Sequence, residues 1–156
     1  MLRKALSNAM QDALRAKEKE RLSTLRLISA AIKDKDIEAR GKGNDTGIND
    51  DEILTVLQKM VRMREEAIEG AKLADRTDLI AKEQAEIAII QSYLPAQLSA
   101  AETAAAIREA LQETAAQSIR DMGAVMAFLR DRYAGRLDFG AVSKEIKAAL
   151  QADTKA

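Results

Sequence analysis

The chain has neither histidine nor cysteine, so an imidazole base, a thiolate nucleophile and a zinc site built on either ligand are all excluded. What remains is the chemistry of lysine, arginine, carboxylates and hydroxyls. A serine activated by lysine needs its hydroxyl in a sharp, usually glycine-rich turn. Ser7, Ser23, Ser29, Ser92, Ser99, Ser118 and Ser143 all fall instead in expected helices or their caps. Gly41-Lys42-Gly43 lacks the preceding strand and the spacing of a phosphate loop. Asp34, Asp36 and Glu38 alternate like the start of a calcium loop, but no glycine stands at its sixth position and no glutamate at its twelfth. They are expected to be solvated residues at a helix end. No catalytic residue, metal or cofactor is expected.

Cations form the most suggestive polar pattern. Lys19, Arg26, Lys33 and Arg40 recur every seven residues, a spacing that drifts by only about 20° per step on a straight helix, so they form one stripe. Arg15, Lys17 and Arg21 crowd one end, and Lys59, Arg62 and Arg64 add a second cluster. Such a stripe could follow phosphates through counterion release without reading bases. It could equally be the wet face of a helix, because acids are interspersed. Tyr93, Phe128, Tyr133 and Phe139 are the only aromatic residues and are expected in packing rather than in base stacking. Gly123, in Asp121-Met122-Gly123-Ala124-Val125-Met126, costs a helix up to about 1 kcal/mol against alanine. Either a close helix approach or a backbone surface left open for a ligand would account for it.

The elements that must carry these residues are helical. Leu2, Leu6, Met10, Ala13 and Leu14 mark a first amphipathic helix closing near Ala16, and Leu22, Leu25, Ile28 and Ile32 a second reaching about Ala39. Gly41 to Gly47 reads as a mobile loop. Asn49 and Glu52 form a capping box for a third helix from Asp50 to about Leu73. Asp75 to Asp78 makes a turn, and a fourth helix runs to Tyr93 or Leu94, where Pro95, the only proline, ends it. Ser99 and Glu102 form a second capping box. Beyond it, helices are expected from Ala100 to about Ala115, Arg120 to Arg132 and Phe139 to Gln151. Gly135 suits a left-handed cap, Asp138 an N-cap, and the tail from Ala152 is expected to fray. The expected organisation is an N-terminal helical bundle over 1–94 and a small three-helix domain over 95–156, with Tyr93, Leu94 and Pro95 as the hinge.

Composition agrees with an all-α protein. Apolar residues make up 47% but aromatics only 3%, the inventory of helices packed through aliphatic side chains. With 25 basic and 25 acidic residues, no global field draws the chain to nucleic acid. The lack of cysteine and of any long apolar run leads to the expectation of a soluble, cytoplasmic protein that does not engage membrane. No oligomeric state is indicated.

Lys19-Glu20-Arg21-Leu22-Ser23-Thr24-Leu25-Arg26-Leu27, the stretch Ala85-Glu86-Ile87 to Tyr93-Leu94-Pro95-Ala96-Gln97-Leu98-Ser99, and Asp121 to Met126 with Gly135-Arg136-Leu137-Asp138 together resemble the GatB/YqeY family, specifically its small free-standing YqeY-like members. Leu137 and Ser143 depart from the alanine and asparagine more usual there. The resemblance implies an N-terminal helical bundle and a small C-terminal helical domain. The same module forms the tail of the B subunit of glutamine-dependent aspartyl/glutamyl-tRNA amidotransferase, where it contacts tRNA, and family names associate it with carbon-nitrogen ligase activity using glutamine as amido donor. A non-catalytic tRNA-associated module is therefore the first expectation, with Lys19, Arg26, Lys33, Arg62, Arg120, Gly123, Arg130 and Arg136 as contact residues. The second is an adaptor for a protein partner in translation or another helical partner, with an apolar patch near Tyr93 and Met126. A stand-alone amidotransferase or hydrolase ranks last.

Overall fold

The computed structural model describes residues 1–154, which form seven α-helices and one 3-10 turn with no strand. The helices are α1 Leu2–Arg15, α2 Lys19–Gly41, α3 Asp50–Leu73, α4 Thr77–Gln91, α5 Ala100–Glu113, α6 Met122–Tyr133 and α7 Phe139–Thr154, with the 3-10 turn at Ile119–Asp121. The all-α expectation is met. The chain divides into two compact units, Met1–Pro95 and Ala96–Ala156. α7 continues past Ala152 to Thr154, and the rest of the tail expected to fray lies outside the described residues.

Helix starts follow the sequence closely. The Asn49 side chain accepts the Glu52 amide at 2.9 Å while the Asn49 amide donates to the Glu52 carboxylate at 2.8 Å. Ser99 and Glu102 repeat the arrangement, with both bonds at 3.1 Å. A third box, at Ser118 and Asp121, opens the 3-10 turn. Each satisfies amides that a helix start leaves without intrahelical partners.

Helix ends are less obvious. After α1, α3 and α5 the chain passes through Lys17, Asp75 and Ala115 at φ 58°, 53° and 49°. The following amides close back in the paired Schellman pattern: Glu18 N–H to Ala13 O, Arg76 N–H to Ala71 O and Ala116 N–H to Leu111 O. α2 closes in the same pattern through a glycine, with Gly43 at φ 90° and Asn44 N–H to Ala39 O. A left-handed L-residue costs roughly 1–2 kcal/mol, so three helix ends carry strain that packing must offset. The Gly41–Gly47 segment, expected to be mobile, is instead tied down. Asn44 Nδ2 donates to Gly47 O at 3.1 Å, and Ile48 N–H donates to Asp36 at 2.9 Å.

In the first unit, α3 and α4 form an antiparallel hairpin against α2, with α1 along α2 and α3. Its core centres on Leu25, Ile28, Ile53, Leu57 and Ile90, each at most 1% exposed. Arg64, expected in an exposed basic cluster, crosses the hairpin: Nε meets Glu86 at 2.8 Å and Nη1 donates to Met60 O at 3.0 Å. The second unit packs α5, α6 and α7 around Ala110, Val125, Leu129 and Ile146, all 0% exposed. Ala96, Gln97 and Leu98 are bound into it. Leu98 N–H donates to Arg136 O, Gln97 Nε2 to Gly135 O and Arg136 Nε to Ala96 O, at 3.0, 2.6 and 2.9 Å. Tyr93 and Leu94 pack on the first core.

Leu57→Ala should cost about 2–5 kcal/mol in denaturant unfolding, the range for a large aliphatic side chain removed from a fully buried site. Ala115→Gly should raise stability by about 0.5–1 kcal/mol by the same measurement, because it removes the left-handed penalty at a cost in unfolded-chain entropy.

Candidate functional site

The cores hold no polar machinery. Thr24 is the only buried polar residue among those described, and its hydroxyl donates to Glu20 O at 3.2 Å. Every resolved carboxylate shift is downward. Asp36 is lowered by its hydrogen bonds from Arg3 and from the Ile48 amide. Glu38, between Lys35 and Lys42, is lowered to about 2. Asp78 is lowered by Arg76, and Asp121 by the amides of Gln117 and Ser118. These groups stay ionised at neutral pH, the opposite of an acid poised for proton transfer.

Asp36 is therefore more than the solvated helix-end residue expected. Arg3 grips it with two nitrogens, at 2.7 and 2.9 Å, and also donates to Ile48 O at 3.0 Å. This clamp ties α1, α2 and the loop before α3. Gly47 makes room for it: a β-carbon there would lie 2.8 Å from Asp36 Oδ1 and 3.2 Å from Arg3 Nη2. The sequence carries no signal for a contact between residues so far apart along the chain.

The cationic stripe is present but dispersed. Lys19, Arg26, Lys33 and Arg40 are exposed on α2, spread over roughly 30 Å of helix. Lys19 borders a groove of about 600 Å³ between α2 and α4, where Glu20, Asp78 and Glu86 stand beside Lys82, so a polyanion would meet carboxylates. Lys33 borders a smaller recess beside the Arg3–Asp36 clamp. Arg62 is exposed on α3.

The second unit brings two predicted residues together. Gly123 and Arg130 line one open depression of about 400 Å³ with Met122, Met126, Phe139, Gly140 and Ser143. Arg120 lies on the preceding 3-10 turn. Arg136 faces elsewhere, onto the Ala96 carbonyl. A β-carbon on Gly123 would find nothing within 4 Å, so close helix packing does not explain this glycine and an open surface does. Gly140, which the sequence reading passed over, stands across from it on α7, where a β-carbon would meet only Asp138 Oδ1 at 3.4 Å. The Arg130 guanidinium lies 5.8 Å from the Phe139 ring centre, within reach of a cation–π contact. Phe128 is likewise covered by Arg132, at 4.7 Å. The arrangement offers apolar contact, exposed backbone and positive charge; it presents no nucleophile and base pair.

Comparison with known proteins adds a family and a setting. A family model described as Yqey-like protein matches residues 3–150. A relative from Eremothecium gossypii, "Altered inheritance of mitochondria protein 41, mitochondrial", is 37% identical over 59% of this chain and 50% of its own length. Proteins of the same name from Lachancea thermotolerans and Pyrenophora tritici-repentis are 34% and 28% identical, over 57% and 92% of this chain and 46% and 77% of theirs. The chain thus spans about half the length of the first two. These names overturn two expectations. They place the relatives in mitochondria, against a cytoplasmic protein, and they carry no tRNA or amidotransferase role, against the tRNA-associated module. The physical reasons are plain: lack of cysteine and of apolar runs describes chemistry rather than address, and a shared fold does not transfer a function.

Asp36→Asn should destabilise the chain at neutral pH. A lowered carboxylate pKa contributes stability that is present above the ordinary range, near 4, and lost as pH falls through the folded value. The gap between wild type and variant in thermal melts should therefore close on acidification. In the same assay Gly47→Ala should lose more than about 1 kcal/mol, its φ of 87° being unfavourable to an L-residue. Gly123→Ala should gain up to about 1 kcal/mol.

Proposed function

The chain belongs to the YqeY-like family, and on that premise we propose that it is a non-catalytic module that works by binding another protein through the α6–α7 face of its second unit. The carrying observation is Gly123: a mid-surface helix glycine with open space around it, above a depression floored by methionine and phenylalanine. A helix keeps such a residue at a cost in stability, which close approach of a partner's backbone would offset. Methionine surfaces adapt to partner side chains without needing one fixed shape.

The relatives' names direct the search for this partner to proteins of mitochondrial inheritance. Affinity recovery from nuclease-treated extract should yield a protein with the wild-type chain and lose it with Gly123→Leu, a variant whose thermal midpoint should not fall. Equal recovery by both chains would remove the α6–α7 face from the reading. Glutamine hydrolysis by the purified chain, above the rate without protein, would overturn its non-catalytic part.

A further inference from the structure

The chemistry of the α6–α7 depression goes further and specifies what kind of segment it receives, an inference that rests on the protein-binding reading above. Its floor is apolar, made by Met122, Met126 and Phe139. Both walls expose bare backbone, at Gly123 on α6 and Gly140 on α7, so an incoming element can approach without meeting β-carbons.

Charge sets the sign of the partner. No acidic side chain lines the depression, and Arg130 stands on its wall. Lys144 and Lys147 are exposed on α7, four residues beyond Gly140 and Ser143, and so continue the same face by helical spacing. Arg130, Lys144 and Lys147 have no ion pair with any described carboxylate. Two other cations of this unit are engaged: Arg132 pairs with Glu109, and Arg136 donates to the Ala96 carbonyl.

We propose that this face binds an acidic amphipathic helix of a partner protein, whose aliphatic side chains seat over Met122, Met126 and Phe139 and whose carboxylates meet Arg130, Lys144 and Lys147. A helix is favoured over a strand because the described residues offer no strand edge for β-addition. A peptide is favoured over nucleic acid because thioethers give phosphate no donor, and the one ring in the depression already lies near an arginine. Unpaired peripheral cations also predict an association rate that falls with salt.

The test uses the full chain and a synthetic fluorescent helix of about 18 residues, long enough to present two to three apolar anchors, with leucine at helical spacing and glutamate elsewhere. Controls replace leucine by serine, or glutamate by lysine. The leucine–glutamate peptide should bind in a salt-dependent manner by anisotropy, and both controls should bind at least about tenfold more weakly. Gly123→Leu and Arg130→Glu should each weaken binding by about tenfold or more, with unchanged circular dichroism and a thermal midpoint that does not fall. Equal binding of the lysine control, indifference to both substitutions, or complete displacement of the peptide by bulk tRNA would overturn the proposal. A photo-crosslinker at Ala127, exposed on α6 one turn beyond Gly123 at the rim of the depression, used in cells whose lysate is then nuclease-treated, separates the two levels. Adducts with a basic or non-helical protein segment would sink the acidic helix and leave protein binding standing; the absence of any protein adduct would sink both.

Discussion

The first unit depends on one layer of aliphatic side chains, Leu25, Ile28, Ile53, Leu57 and Ile90, from which water is almost wholly excluded. With four aromatic residues in 156, burial has to come from many branched aliphatic contacts. Such a layer tolerates a polar atom only if it is bonded, and Thr24 meets that condition through the Glu20 carbonyl. The same rule governs the second unit, where Ala110, Val125, Leu129 and Ile146 close the centre. Among the described residues, charged groups are therefore confined to the outside of both bundles.

Polar interactions at that outside divide by purpose. Arg3, Asp36 and Ile48 form a half-exposed clamp that orders the loop before α3, and Arg64 with Glu86 braces the α3–α4 hairpin. Pairs such as Lys72–Glu69 and Arg76–Asp78 are exposed and contribute little to stability. Among the described residues, Arg130, Lys144 and Lys147 beside the α6–α7 depression make no ion pair, a condition they share with Lys19, Arg26 and Lys33 on α2.

The strained helix ends illustrate a limit of sequence signals. Gly135 and Asp138 announce their turn, and the structure uses them so: Gly135 takes φ 75° and Asp138 accepts the Gly140 amide at 3.1 Å. Lys17, Asp75 and Ala115 take the left-handed region with no glycine to advertise it. Their helices end because the next elements must pack, which is a non-local demand. The same applies to α4, which stops at Gln91, short of the Tyr93 or Leu94 end that Pro95 indicated, while Tyr93 and Leu94 turn onto the first core.

Local patterns by themselves determined the helices, the capping boxes at Asn49 and Ser99, the aliphatic faces and the family, because spacing along a helix and a cap three residues away are short-range physics. They also singled out Gly123, without deciding between packing and an open surface. Only tertiary structure decided that: the space around Gly123 is empty because of where α6 and α7 lie, and Arg130 and Gly140 come to the same depression for the same reason. Asp36 likewise acquired its role from Arg3, 33 residues away. Periodicity places a residue on a face, but what stands opposite that face depends on which elements fold against it.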